Sequence, residues 1–282
     1  MAQRRRKTVR GRKLSSELRR LREKSDMSGE YVAERLGWSQ SKVSRIETGR
    51  TSVQAKELTQ LLELYGVPDG GRDQFFDLAK GAQVKGWWDD FADTLPRDYT
   101  TYIELENEAS SNLVFSAQIV PGILQTEDYA RCVIQSALLI SPPGETNRRV
   151  QVRMERQARL MQDTARSFSV IIDEAVLRRK VGGDEVMTAQ LDHLMESSKK
   201  ENVNLQVLPF SCGEHPASAG EFALLQFPGD DDEDVVHVEA IGSSLYIEDE
   251  TTVFRYTLAF NQLCTSALTP SESMDFIGSL LE

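Results

Sequence analysis

Hydrophobic residues in the first part of the chain recur at the spacing of helices. Leu14, Leu18 and Leu21 follow one another at intervals of four and three residues, so they share one face of a helix. Later apolar residues keep this spacing within short segments that glycine and serine separate. No segment between residues 14 and 80 alternates as a strand does. This region is therefore predicted to be all-α, with about five helices.

Capping residues divide this helical region at defined points. Ser28 is a good N-cap for a second helix, and Gly37 can take the left-handed conformation that ends it. Ser39 caps a third helix, which Gly49 closes. Two short helices joined by a tight glycine turn are typical of a helix-turn-helix, whose second helix enters the major groove of DNA. The pattern predicts that the helix over residues 39–48 is such a recognition helix.

Beyond residue 80, helical and strand-like patterns are mixed. Helical patterns occupy residues 122–137, 144–163, 184–199, 250–266 and 271–281, and strand-like runs occupy 168–173, 203–210, 221–227, 235–241 and 244–248. The last four strands follow one another with short connections, which predicts an antiparallel sheet. The predicted fold is multidomain, with an N-terminal all-α helix-turn-helix followed by an α+β domain with an antiparallel sheet.

Charge divides the chain in the same way. The 282 residues have a formal net charge of −11, yet residues 1–68 hold 16 Lys and Arg against 8 Asp and Glu, a net of +8. The rest holds 17 basic and 36 acidic residues, a net of −19. Positive charge around the predicted recognition helix is typical of nucleic-acid binding. We predict a basic disordered arm at 1–13, a helix-turn-helix domain at 14–80 and a regulatory or partner-binding domain at 81–282.

The outer face of the predicted recognition helix carries groups that can read bases. Val43 and Ile46 are apolar and are predicted to anchor the helix to the core. Glutamine suits adenine and arginine suits guanine in the major groove. The predicted contacts with double-stranded DNA, on the opposite face and in the following loop, are Gln40, Ser41, Lys42, Ser44, Arg45, Thr48 and Arg50.

The segment LRRLREKSDMSGEYVAERLGWSQSKVSRIETGRT lies within residues 14–65, which resemble the helix-turn-helix of the phage-repressor-like (Xre) family of regulators. The resemblance implies base contacts by Ser39, Gln40, Ser41 and Arg45, and phosphate contacts by Ser28, Thr48 and Arg50. Many members carry a glutamine at the first position of the second helix, where it braces the glutamine of the recognition helix. This chain has Gly29 there, so that brace is missing.

The same resemblance implies a structural pair between Arg22 and Glu47. In the family, the matching arginine and glutamate pair across the first and third helices. A long arginine on the first helix can reach a carboxylate near the end of the third helix, and so fix the recognition helix. The alternative is that these are two unrelated surface charges.

The chain from about residue 86 to 280 resembles a C-terminal domain that many actinobacterial regulators carry after such a helix-turn-helix. Its distinctive segments include GWWDDFADTLPRDY, QIVPGILQTEDYAR, VRMERQARL and DEAVLRRKVGG. These Scr-type, antitoxin-like regulators are often encoded beside a small acidic partner protein. The resemblance implies a regulatory domain and supplies no catalytic activity to transfer.

Two groups of residues in this second region are candidates for contact with a partner or ligand, namely Trp87 and Trp88, and Arg149, Arg153 and Arg156. The alternative for the tryptophans is packing in the core or between domains. The arginines lie on the predicted helix 144–163. They form either a solvated face, paired with local acids, or a dock for an acidic partner.

The sequence contains no recognisable metal, cofactor or catalytic motif. His237 alternates with Glu239 in a predicted strand, and we expect a pair on the sheet surface there. Three widely spaced cysteines suit a reducing cytoplasm. The chain has no apolar run of 18 residues, so no membrane helix is expected.

These patterns predict a cytoplasmic, nucleoid-associated transcriptional regulator without enzymatic activity. It would bind an operator as a homodimer, because one helix reads only a few base pairs and twofold symmetry doubles the contacts. A partner protein or ligand would modulate it through the C-terminal domain. One alternative is an antitoxin-like protein that binds a small cognate partner and uses DNA binding for autoregulation. An enzyme tethered to DNA is the other.

Overall fold

The chain divides into two compact units, Met1–Asp89 and Asp90–Glu282. The structure, a computed structural model, describes residues 9–49, 51–81, 86–91, 95–137, 144–229 and 233–282. The division between the units lies nine residues after the predicted boundary between residues 80 and 81. None of the helices in these ranges is long and apolar enough to span a membrane.

The first unit contains the all-α region that the sequence predicts. Its α-helices are α1 (Val9–Lys24), α2 (Gly29–Leu36), α3 (Gln40–Glu47), α4 (Ala55–Leu64) and α5 (Asp73–Gly81). The prediction of a disordered arm over residues 1–13 is wrong for residues 9–13, because they belong to α1. Lysine and arginine are good helix formers, so the helix extends through these basic positions. Residues 1–8 lie outside the described residues.

Apolar side chains of α1 to α5 meet in one core. Leu14 and Leu18 are buried, and Leu21 packs against the same cluster, as the helical spacing predicts. Leu58 and Leu62 of α4 are fully buried in this core. The small Ala33 is also buried, which allows close packing at this point. The core thus fixes the positions of the two helices of the helix-turn-helix.

The second unit is the predicted α+β domain. Its strands are β1 (Ser111–Ser116), β2 (Ser167–Asp173), β3 (Val203–Leu208), β4 (Phe222–Gln226), β5 (Val235–Ala240) and β6 (Ser243–Ile247). Its helices are α6 (Arg97–Glu108), α7 (Glu127–Ala137), α8 (Glu145–Gln162), α9 (Glu174–Arg178), α10 (Asp184–Ser197), α11 (Glu250–Ser266) and α12 (Pro270–Ser279). The sequence patterns predict all of the strands except β1, and they miss α6 and α9.

The six strands form one mixed sheet in the order β3-β2-β1-β4-β5-β6. β1, β2 and β3 are parallel, whereas β4, β5 and β6 continue antiparallel from β1. The predicted antiparallel sheet is therefore limited to one half. Helices connect β1 to β2 and β2 to β3, and such crossover connections produce parallel pairs. β3 consequently lies at the edge opposite β6 rather than beside β4.

Helices cover both faces of this sheet. Val170 and Ile172 of β2 belong to one apolar cluster, which includes residues of α10 and α12. The intervening Ile171 belongs to a second cluster, together with Phe260 of α11. Successive side chains of a strand point to opposite faces, so β2 contributes to both cores.

Candidate nucleic-acid interface

Serine caps and a glycine turn define the two helices of the helix-turn-helix. The Ser28 hydroxyl accepts a hydrogen bond from the Tyr31 amide at the start of α2 (3.1 Å). Gly37 ends α2 with a φ of 67°, a left-handed conformation that favours glycine. The Ser39 hydroxyl then accepts from the Lys42 amide at the start of α3 (3.3 Å). These caps occur where the sequence predicts them.

An ion pair and two apolar side chains hold α3 in place. Val43 and Ile46 are buried in the core of the first unit. Arg22 of α1 donates from Nε to Glu47 Oε1 (2.8 Å) and from Nη2 to Glu47 Oε2 (3.1 Å). Its Nη1 also donates to the Met27 carbonyl oxygen (2.7 Å). The hydrogen bonds with Glu47 raise the pKa of Arg22 above its usual value. The structure therefore brings together the pair that the resemblance implies.

The opposite face of α3 presents a row of exposed polar side chains, Gln40, Ser41, Ser44 and Arg45. Within the described residues, the Arg45 side chain makes no hydrogen bond or ion pair. A guanidinium without an internal partner is available for the bidentate contact that arginine makes with guanine. The four side chains of this row are thus exposed on the face that the sequence assigns to DNA.

Gln40 has a hydrogen-bond partner that the sequence patterns do not reveal. Its Nε2 atom donates to Oε1 of Glu30, in the first turn of α2, over 3.2 Å. Gly29, which leaves the usual brace position empty, directly precedes this glutamate. The only available signal was an acidic residue at the start of α2, and its reach to α3 depends on how the two helices pack.

Lys42 is engaged inside the first unit. Its Nζ atom lies 2.6 Å from Oε1 of Glu57 and 3.9 Å from the centre of the Trp38 ring. Burial raises the pKa of Glu57, but hydrogen bonds from the Gln54 amide and the Lys42 ammonium together lower it by more. The net shift of the Glu57 pKa is therefore downward. Lys42 therefore links α3 to α4 in the DNA-free structure, in contrast to the open Arg45.

The residues predicted to contact phosphate differ in whether they still have a hydrogen-bond donor that is not used inside the protein. The Ser28 hydroxyl accepts in its cap and can still donate to a phosphate. The Ser39 hydroxyl accepts in its cap and shares a second hydrogen bond with the Ser41 hydroxyl (3.1 Å), so it can donate to a phosphate when Ser41 is the donor of that bond. The Thr48 hydroxyl donates to the Ser44 carbonyl oxygen (2.6 Å), and the Thr48 amide donates to the same atom (2.9 Å). This arrangement leaves Thr48 no donor for phosphate. Arg50 lies outside the described residues.

Comparison with protein families agrees with this division of the chain. Residues 13–75 match a helix-turn-helix domain. Residues 99–279, more than half of the chain, match the domain of unknown function DUF5753. The chain belongs to the DUF5753 family. No curated protein and no solved structure matches it significantly.

Within the DUF5753 domain, the three candidate arginines of α8 have partners on neighbouring residues. Arg156 is 5% exposed, and its Nε atom lies 2.9 Å from Oε2 of the buried Glu106. Arg153 donates from Nη1 to Oε1 of Gln125 (2.7 Å), and Arg149 forms an ion pair with Glu145. Arg156 thus faces the interior, which rules out the solvated or docking face that the sequence allows for it.

The candidate tryptophans belong to the first unit and the arginines to the DUF5753 domain. Trp87 and Trp88 are in edge-to-face contact, with ring centres 5.9 Å apart and planes at 78°. Trp88 is buried, whereas Trp87 is half-buried. The structure therefore supports packing as the role of Trp88.

The expectation that His237 lies on the sheet surface is wrong. His237 of the DUF5753 domain is buried, with its ring 4.5 Å from the Tyr102 ring and 5.0 Å from the Tyr246 ring. Burial and the nearby Arg156 charge lower the pKa of His237 to about 4. Only Glu239 of the predicted pair is exposed. Tyr102 extends from α6, an element that the sequence patterns do not reveal. Within the described ranges, no cluster of three or more metal-ligating side chains occurs.

Proposed function

We propose that this protein is a sequence-specific DNA-binding transcriptional regulator whose helix α3 reads bases in the major groove. The observation that carries the proposal is the row of exposed polar side chains on α3, whose opposite face is anchored to the core of the first unit. Two caps, two buried apolar side chains and the Arg22–Glu47 pair restrain the helix before DNA arrives. A binding group held by such supporting contacts loses little freedom when it binds. The net charge of +8 over residues 1–68 suits attraction to phosphates.

In this proposal, two copies of the chain bind a partly palindromic operator. Helix α3 has eight residues, which corresponds to a length of about 12 Å at the usual rise per residue. Such a helix contacts only a few base pairs, so one copy would select its site poorly. A homodimer presents two recognition helices to two half-sites, and the free energies of their contacts combine.

The proposed role of the DUF5753 domain is to regulate this binding through a partner protein or ligand. The residues after position 68 carry a net charge of −19, which makes direct contact with DNA unfavourable for most of their surface. A division between a basic reading unit and an acidic regulatory unit accounts for this asymmetry. The proposal assigns the DUF5753 domain no catalytic activity.

Replacement of Arg45 tests the proposal at the reading surface. Arg45→Ala should reduce the preference for the selected site over scrambled DNA by about 1–3 kcal/mol, the usual contribution of a bidentate arginine–guanine contact. Arg19→Ala is the matched control, because Arg19 also carries one positive charge but is paired with Glu23 on α1. Fluorescence anisotropy of the full chain with both duplexes measures the effect. Equal preference in the Arg45→Ala variant and the wild type would mean that α3 does not read bases.

A further inference from the structure

Glu30 occupies a defined position beside the first residue of the recognition helix. Its Oε1 atom accepts a hydrogen bond from Nε2 of Gln40, and both residues are exposed. The preceding residue, Gly29, has no side chain to contact Gln40, and a Cβ atom placed there would have no neighbour within 4 Å. Among the described residues, Glu30 is therefore the group of α2 that restrains the Gln40 amide.

The chemistry of this contact restricts which way the amide can point. An ionised carboxylate only accepts hydrogen bonds, so it selects the orientation in which Nε2 faces Glu30. The amide then has one N–H and its Oε1 atom left to face outward. That donor and acceptor match N7 and the N6 amino group of adenine, whereas a freely rotating amide could present them in either order.

We infer that Glu30 is a positioning residue that fixes the Gln40 amide and thereby sets its preference for adenine. The inference rests on the proposed function, since it assigns Glu30 a role in base reading by α3. The carboxylate acts through Gln40 and without a base contact of its own. It also adds a negative charge to a surface that faces phosphates, so it opposes binding to DNA of any sequence.

The Glu30 carboxylate should thus improve discrimination for adenine while it weakens affinity for DNA of any sequence. These opposite effects distinguish a positioning residue from a purely structural one. Removal of the carboxylate should increase affinity for all sequences while it decreases discrimination at one base pair. An acid in the first turn of a helix also stabilises that helix through its dipole. Loss of that contribution would lower the thermal stability of the unit and leave base preference unchanged.

The experiment uses the full chain and the duplex that it selects from a random library. The base pair read by Gln40 is the one at which Gln40→Ala removes preference. At that pair, Glu30→Ala should reduce the preference for adenine by about fivefold, the lower end of a bidentate contact. Glu30→Gln retains a carbonyl oxygen that can accept from Gln40, but its amide can also donate and no longer selects one orientation, so its loss of preference should be smaller than that of Glu30→Ala. Glu34→Ala is the charge-matched control, because Glu34 is an exposed acid one turn later on α2.

A double variant completes the test. If Glu30 acts through Gln40, then Glu30→Ala should cause no further loss of preference in the Gln40→Ala background. An unchanged adenine preference in Glu30→Ala, or an equal loss in Glu34→Ala, would overturn the inference and leave the proposed function intact. A wild-type chain that selects no sequence at all would overturn both.

Discussion

The Arg22–Glu47 pair shows how two residues can determine the position of the recognition helix. Their side chains are 14% and 9% exposed, and two hydrogen bonds join them between α1 and the end of α3. At this level of burial, removal of one partner leaves a charge that water solvates poorly. The pair should therefore contribute to the stability of the first unit and to the orientation of α3.

Glu47→Gln should lower the free energy of unfolding of the first unit by about 2–4 kcal/mol, because it removes the buried carboxylate of the pair and leaves Arg22 only the exposed Glu23, 3.4 Å away. Trp38, Trp87 and Trp88 are the three tryptophans of the chain, and all belong to the first unit. Tryptophan fluorescence during urea unfolding of the full chain therefore reports on that unit. Asp77→Asn, in an exposed pair with Lys80 on α5, should leave the urea midpoint nearly unchanged. Coincident unfolding curves for Glu47→Gln and the wild type would contradict this account.

His237 should remain neutral when most histidines become protonated. Burial lowers its pKa to about 4, so the folded protein resists protonation there while the unfolded chain binds a proton near pH 6.5. The stabilising effect of keeping this ring neutral is present above pH 6.5 and is lost as the pH falls towards 4. The chain has three histidines, so NMR titration with one variant for each can assign every ring. A His237 ring that titrates near pH 6.5 in folded protein would show that it is solvated.

Local chemistry explains which residues could be predicted from sequence. Ser28, Ser39 and Gly37 act within their own turns, so residue type and spacing identify them. The contact of Glu30 with Gln40 and the burial of His237 depend on elements distant in the chain. A single sequence does not specify those packing partners, and the patterns therefore misplace His237 and miss Glu30.

At the scale of elements, α1 determines which part of the basic N-terminus can be removed safely. The described part of α1 begins at Val9, so deletion of residues 2–8 leaves that part intact. This deletion removes four basic residues, Arg4, Arg5, Arg6 and Lys7. If all four neutralise phosphates, the slope of log affinity against log salt should become shallower by up to about 4. Replacement of residues 4–7 by serine separates charge from length. An unchanged slope in both variants would show that these charges do not contact DNA.

The sheet shows why elements were easier to predict than their arrangement. Five strands have β-branched or aromatic runs of the expected length, whereas β1 (SNLVFS) has a short apolar centre between polar residues. Yet β1 lies at the centre of the sheet, between β2 and β4. Because the sequence patterns miss β1, they wrongly predict that β3 and β4 are neighbours in the sheet. The parallel half depends on crossover helices, and α9, one of them, has only five residues.

At the scale of the whole molecule, a basic reading unit and an acidic regulatory unit belong to one chain. Long-range repulsion between the acidic residues and DNA should be largely screened beyond about 8 Å at physiological salt. Site selection would then depend on contacts at α3 and on the pairing of two copies. Both requirements leave a signature in the DNA sequence that the protein prefers.

Selection of duplexes from a random library by the full chain tests whether the protein binds a specific DNA sequence as a dimer. We predict enrichment of a twofold-symmetric sequence whose half-site centres lie one helical turn, or a multiple of it, apart, with one turn being about 10 base pairs. We also predict that Arg45→Ala loses enrichment at the same position of both half-sites. A library that remains random after selection by the wild-type chain would contradict sequence-specific binding. Enrichment of a single half-site alone would contradict binding as a dimer.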